Sequence, residues 1–312
     1  MEEEKWTEIA ITVATKDIDT AGNIANMVVP YGIYIEDYSA LEEETMEIAH
    51  IDLIEESLLK KDRTKGIVHV YINPHENPAE AVSFIEERLK SQDIDYSITV
   101  AGCEMKDWVN NWKQYFHPMP VGEKLLIRPT WEDEYDAGER KVLHIEPGLA
   151  FGTGSHPTTR LCLETLEKYV KPGDRVLDIG CGSGILSIAS LLLGADKAFG
   201  VDIDKLAVKT ANENAKENGF DESRFTAVEG NLTDKVTGTY NIVVANIVAD
   251  IIMQFNPQVG RYLNKPDGIY ITGGIIDTRE DEVLQSFEEN GFEVKQRFED
   301  KGWLVFVLTL KK

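Results

Sequence analysis

The sequence predicts an α/β protein of two domains: a larger one built on a mostly parallel sheet, and a smaller α+β one before it. Three observations carry that expectation. From Arg175 onward, strand-like apolar runs alternate with amphipathic helical stretches, which calls for a parallel sheet with right-handed crossovers. The last two apolar runs, Phe292–Phe298 and Trp303–Leu310, have no helix between them and are expected to pair antiparallel. The chain of 312 residues exceeds one ordinary domain, and its first hundred residues differ in charge from the rest.

Trp6 to Ala14 alternates apolar and polar residues, the period of a half-buried strand. Thr20 to Val29 reads as a short helix stopped by Pro30, and Gly32 to Glu36 as a strand. An acidic, partly helical insertion, Glu42 to Lys61, leads to the strand Ile67 to Ile72. Asn77-Pro78 opens a helix that runs through Leu89, with proline at the first helical position, and Tyr96 to Ala101 closes the set. The order β-α-β-β-α-β is the ferredoxin-like plan.

Trp108, Trp112, Tyr115 and Phe116 recur at helical spacing and share one face, as in a helix that docks between domains. The strand Lys124 to Arg128 follows, then a polar, hairpin-like stretch, Trp131 to Lys141, and the strand Val142 to Ile145. The expected divisions are therefore residues 1–104, a linker at 105–122, and a second domain at 123–312. A helix spans Pro157 to Tyr169. Beyond it, strands are expected near Arg175–Ile179, Ala198–Asp202, Phe225–Glu229, Tyr240–Asn246 and Gly268–Gly273. Helices alternate with them near Gly184–Leu193, Asp204–Asn218, Val248–Leu263 and Thr278–Asn290.

Composition narrows the function. No apolar run reaches the roughly 18 residues of a membrane span. The acidic start, Met-Glu-Glu-Glu-Lys-Trp, leads us to expect no secretory signal. Cys103, Cys162 and Cys181 form an odd set without a C-x-x-C pair, so neither a disulfide framework nor a metal site is expected. The protein is accordingly expected in the cytoplasm, reduced, and as a monomer. Acidic residues number 55 against 32 basic. The first hundred residues hold 22 and 8 of these, so negative charge is densest there. Such a surface repels phosphate backbones, which argues against direct nucleic-acid binding. It suits a basic partner, whose encounter it would steer, although a solubility surface explains the charge equally well.

The chemistry is concentrated in Val176 to Gly184, Val-Leu-Asp-Ile-Gly-Cys-Gly-Ser-Gly, with Asp202 at the end of the next strand. A strand empties into a loop with glycine at every second position, and a helix starts at once. Glycines there let the backbone pass close beneath a ligand. An acidic residue one strand later can accept both hydroxyls of a ribose. A dinucleotide fingerprint needs a third glycine inside the helix, but the residue two past Gly184 is Leu186. Asp178, two residues before Gly180, suits S-adenosylmethionine, whose ammonium and sulfonium would face a carboxylate. The expected cofactor is therefore S-adenosylmethionine, and the sheet the seven-stranded, Rossmann-like class I methyltransferase type.

Several residues carry two readings. Cys181 in the loop is better explained as a small side chain beneath the ligand than as a nucleophile. His156 could be a general base or part of a loop over the cofactor. Thr159 could cap its helix or bond the cofactor. Gly230-Asn231 could meet the adenine or make a turn, and Asp204 reads as the N-cap of the following helix. Asn246, where the fourth strand of the sheet ends, could be a strand-end cap or a polar group facing the ligand.

Glu146-Pro-Gly-Leu-Ala-Phe-Gly-Thr-Gly-Ser-His-Pro-Thr-Thr, the Asp178 glycine loop, Asp202-Ile-Asp204 and Asn246-Ile-Val-Ala resemble the PrmA family, methyltransferases of ribosomal protein L11. Asp107-Trp108, Asn111-Trp112-Lys113, Pro120-Val-Gly and Trp131-Glu132 extend the similarity across the linker, so it covers nearly the whole chain. Two positions depart from the family pattern: Asn-Ile-Leu-Ala reads Asn246-Ile-Val-Ala, and a late Glu-Trp reads Gly302-Trp303. The resemblance implies an N-terminal domain that recognises the basic substrate protein. It also implies methyl transfer to lysine ε-amino and N-terminal α-amino groups. It assigns Thr159, Asp178, Gly180, Gly182, Asp202, Asn231 and Asn246 to the cofactor, with Asn246 also aiming the amine. Other classes stay open: a methyltransferase for another protein lysine or a small amine, or a cofactor-binding regulator without activity. A base methyltransferase usually follows its Asn with two prolines and an aromatic ring, and Ile247-Val248-Ala249 lacks them.

Overall fold

The computed structural model describes residues 6–29, 33–39, 62–72, 77–100, 103–104, 117–130, 132, 135–145, 154 and 156–311. The acidic insertion, the aromatic linker helix, Pro30, Trp131 and most of the segment Glu146 to Ser155 lie outside the described residues. The chain divides into two compact units, Met1–Tyr115 and Phe116–Lys312.

In the first unit, β1 (Thr7–Ala14) lies between β3 (Lys65–Ile72) and β4 (Tyr96–Val100), antiparallel to both. Short β2 (Tyr34–Glu36) pairs with β3, and β5 (Cys103–Glu104) with β4, giving the order β2-β3-β1-β4-β5. The alternation that marks β1 in the sequence has a direct cause. Ile9, Ile11 and Val13 point to a buried face, with Val68, Val70 and Ile72 of β3 beside them. Helices α1 (Ile18–Asn26) and α2 (Pro78–Ser91) turn Ile18, Ala21 and Ala25, and Ile85 and Leu89, into that core. The Asn77 side chain accepts the Ala79 N–H, so the Asn-Pro start of α2 is a capped N-terminus.

In the second unit, β6 (Met119–Val121), β7 (Leu125–Pro129) and β8 (Lys141–Ile145) form a small sheet. The stretch between β7 and β8, expected to be hairpin-like, is a crossover, because β7 and β8 run parallel. Parallel neighbours need a connection that returns to the same end. β6, within the expected linker, pairs antiparallel with β7.

The main sheet has seven strands in the order β11-β10-β9-β12-β13-β15-β14. β9 (Arg175–Ile179), β10 (Lys197–Asp202), β11 (Phe225–Glu229), β12 (Ile242–Asn246) and β13 (Ile269–Ile276) are parallel. β14 (Phe292–Asp300) and β15 (Trp303–Leu310) close it antiparallel. The central strands read as unbroken apolar runs because both faces are covered. Val176, Ile242 and Val244 join the core of α3 (Pro157–Tyr169), α4 (Ile185–Leu193) and α5 (Lys205–Glu217). Leu177, Ile179, Val243 and Ala245 join that of α6 (Ala249–Val259) and α7 (Glu280–Glu289). The chain builds outward from β9 through β11, then crosses back to place β12 on β9's other side. That reversal opens a crevice at the carboxyl ends of β9 and β12, where such sheets bind ligands. Among the described residues, no helix is long and apolar enough to cross a membrane.

Candidate active site

The loop after β9 and the end of β12 meet at this crevice, since Ala245 lies opposite Ile179. Gly180, Gly182 and Gly184 all have positive φ. At Gly180 only glycine fits on two counts: φ is 70°, and a Cβ there would collide with the Cγ2 methyl of Ile247. The loop is tied to β10 by Gly180 and Cys181, whose N–H groups donate to the Val201 carbonyl at 2.8 and 3.1 Å. The Gly182 N–H donates to Asp202 Oδ2 at 2.9 Å, while Asp202 Oδ1 accepts the Asp204 N–H at 2.9 Å. Asp202 thus ties the glycine loop to the end of β10. Asp204 caps α5, accepting from Leu206 and Ala207.

Asp178 lies one residue before the end of β9 and is 1% exposed. Its Oδ2 accepts both the Ser187 N–H and the Ser187 hydroxyl, at 3.2 and 2.8 Å, near the N-terminus of α4. Its Oδ1 is buried without a partner among the described residues. Burial is the main cause that pushes its pKa up to about 7; the Ser187 bonds oppose this and the Asp202 charge adds to it. Ser187 has no signature of its own in the sequence. Its role follows from a carboxylate three-dimensionally aligned with a helix start.

Asn246 ends β12. Its Nδ2 donates to Thr159 Oγ1 at 3.3 Å, and its Oδ1 is buried without a partner among the described residues. Thr159 is 1% exposed and lies in the first turn of α3. It does not cap that helix. His156 does, through a ring nitrogen that accepts the Thr158 N–H at 3.3 Å. The same bond occupies His156 Nδ1, which removes it as a general base at that atom. Asn231 is exposed on the turn after β11, where the Gly230 N–H donates to the Asp202 carbonyl, and its own carbonyl accepts from Asp234. Burial drives the Cys181 thiol well above its ordinary pKa, and Cys162 likewise, so neither is a thiolate nucleophile. The Cys181 sulfur points under the loop, toward Gly200 of β10.

Gly302, where the resemblance expects glutamate, has a local explanation. Lys301 and Gly302 form the two-residue loop between β14 and β15, both with positive φ, as a type I′ hairpin requires. The adjoining Trp303 packs edge-on against His156, with ring centroids 4.6 Å apart.

Two acceptor oxygens, Asp178 Oδ1 and Asn246 Oδ1, therefore stand buried without a partner among the described residues near the carboxyl ends of β9 and β12. Leaving such groups buried costs free energy unless a ligand satisfies them. A carboxylate whose ionisation is held back by burial fits a cationic ligand group, and the donor set fits S-adenosylmethionine, which carries an ammonium and a sulfonium. Among the described residues there is no cluster suited to a metal ion.

Comparison with known proteins finds relatives along nearly the whole chain. Residues 5–311 match the family described as ribosomal protein L11 methyltransferase (PrmA). A ribosomal protein L11 methyltransferase of Lachnospira eligens is 38% identical over 314 residues, covering 96% of this chain and 98% of the relative. That of Clostridium perfringens is 37% identical over 312 residues, covering 98% and 99%. The crystal structure of ribosomal protein L11 methylase from Lactobacillus delbrueckii subsp. bulgaricus superposes with a TM-score of 0.60 at 32% identity. It covers 63% of this chain and all of that one.

Proposed function

The chain belongs to the ribosomal protein L11 methyltransferase family, and from that premise we propose that it methylates ribosomal protein L11 at lysine ε-amino and N-terminal α-amino groups. The observation that carries the chemistry is the pair of buried, unpartnered oxygens on Asp178 and Asn246 beside the glycine loop. S-adenosylmethionine, when bound, supplies a methyl on a sulfonium, so that transfer to an amine leaves a neutral sulfide and needs no metal or covalent nucleophile.

The protein's own part is to bind, aim and exclude water. Asp202 is placed to accept from the ribose hydroxyls while holding Gly182 and Asp204. Asp178 is placed to meet positive charge with its free oxygen. A lysine amine must lose its proton before it can attack. With a reference pKa near 10.4, this costs on the order of 4 kcal/mol at pH 7.4. A dry site beside a positive charge lowers that cost. Asn246 Oδ1 accepts a hydrogen of the neutral amine and turns its lone pair toward the methyl. Fixing the two reactants in this way supplies most of the rate in a reaction without intermediates.

The first unit is read as a ferredoxin-like substrate-recognition domain, residues 1–104, because its strands follow that plan's order with one short strand added at the β4 edge. Its density of negative charge suits a basic ribosomal protein. Residues 105–122 are the proposed linker and 123–312 the catalytic domain. The enzyme is proposed to work as a cytoplasmic monomer without direct nucleic-acid contact. Mass spectrometry of purified L11 after incubation with the enzyme and S-adenosylmethionine tests the assignment. Methyl increments on lysine and N-terminal peptides are expected. An unmodified L11 in the presence of bound cofactor would return the site to another amine substrate.

A further inference from the structure

Asn246 is positioned by a feature that no sequence motif announces. β13 pairs in parallel with β12, and Asn246 lies opposite Gly273. On its other edge, the pairing of β13 with β15 shifts register between Thr272 and Ile275, so Gly273 and Gly274 form a bulge. Gly274 has φ 81°, and a Cβ there would lie 2.8 Å from the Ile247 carbonyl carbon and closer still to its oxygen. Those are backbone atoms with nowhere to go. At Gly273 a Cβ would lie 3.1 Å from Asn246 Oδ1, 2.8 Å from Cys162 Sγ and 2.9 Å from Val305 Cγ2. The side chain of Ile247 meanwhile occupies the space that a Cβ on Gly180 would need. The Asn246-Ile247 peptide is thus held between two glycines, one in the cofactor loop and one in the bulge.

We propose that the Gly273-Gly274 bulge is a positioning element for methyl transfer, setting where Asn246 presents its unpartnered Oδ1. The inference rests on the reading of Asn246 as the residue that aims the amine. It extends that reading to the two glycines packed against Asn246 and Ile247. A bulge re-aims a strand end at the cost of local pairing, and such irregularities gather beside active sites. Here β13's backbone lies close enough to β12 to confine the asparagine, with Nδ2 on Thr159 and Oδ1 buried beside Gly273.

The test is Gly273→Ala in the full chain, made alone and in an Asn246→Ala background. Four measurements are needed: thermal unfolding, S-adenosylmethionine affinity by calorimetry, turnover on L11, and NMR of asparagine side-chain amides in the cofactor-free protein. Gly273→Ala is expected to shift the Asn246 side-chain resonances and leave cofactor affinity within a few-fold. Turnover should drop by roughly tenfold or more, since small misplacements of an aimed group are costly. In the Asn246→Ala background the same change should have almost no effect on turnover, because the group it displaces is gone. Equal losses in both backgrounds, or unshifted Asn246 resonances with full turnover, would overturn the proposal. Full turnover in Asn246→Ala alone would instead overturn the reading of Asn246, so the two failures are separable. Should Gly273→Ala fail to fold, Cys162→Ala combined with it removes the sulfur contact and leaves the one to Asn246.

Discussion

The two sides of the crevice treat their polar side chains in opposite ways. At the β10 side, both carboxylate oxygens of Asp202 already accept backbone N–H groups, from Gly182 and Asp204. At the junction of β9 and β12, Asp178 and Asn246 each keep one buried oxygen without a partner among the described residues. The first arrangement is architecture that a ligand can share, and the second is a deficit that a ligand must fill. Asp202 should therefore matter for folding and binding together. Asp178 and Asn246 should matter for what is bound and what then happens to it.

The largest expected effect would break the comparison if it failed. Asn246→Ala should lower turnover by about a hundredfold, or ~2–3 kcal/mol, as expected for a hydrogen bond to a reacting group. Its cofactor affinity should change only a few-fold, and steady-state kinetics beside calorimetry would separate the two. Next comes Asp202→Ala. Loss of charge-assisted bonds to the ribose should weaken cofactor binding about tenfold or more. Because Gly182 and Asp204 also lose their acceptor, the cofactor-free protein should become less stable by ~1–3 kcal/mol. A folded variant of unchanged stability would show that Asp202 is not architectural.

The third prediction sharpens the contrast through pH. Burial pushes the Asp178 carboxyl up to about 7 in the folded protein, from 3.8 ordinarily. Between those values the folded state holds a proton that the unfolded state has released, so this group's contribution to stability falls as pH rises and is fully unfavourable above 7. Asp178→Asn should therefore gain stability relative to wild type from pH 5 to pH 8, by about 3 kcal/mol. The same substitution should weaken S-adenosylmethionine binding at pH 8. Wild-type binding at pH 6 should release protons, visible as a buffer-dependent enthalpy, and the variant should not. A stability difference flat in pH would mean that Asp178 is ionised before the ligand arrives.

Much of this site is legible in the sequence, and the reason is local. Gly180 to Gly184 announces itself because positive φ and close backbone approach exclude other residues at the turn from β9 into α4. Asp204 and Asn77 are readable as caps because a cap bonds to donors two or three residues on. Reading fails where the partner is remote. Thr159 lies in the right turn of α3, yet the cap is His156, whose ring reaches the Thr158 N–H and meets Trp303, remote in the chain, edge-on. The polar run before Lys141 looks like a hairpin until the direction of β8 is known, and direction is a property of the sheet.

The alternation of strands and helices from β9 onward, the glycine loop, the acidic end of β10 and the asparagine at the end of β12 are all legible along the chain. Each follows from periodicity or from contacts within a few residues. Tertiary packing alone left Asp178 and Asn246 each with a buried oxygen lacking a partner among the described residues, and tied one oxygen of Asp202 to Gly182 of the loop. It alone decided that two glycines in β13 would press against Ile247 and Asn246. Those facts depend on β12 returning to the far side of β9, which brings together residues some seventy positions apart. No spacing rule along the chain encodes a contact made by packing across a sheet.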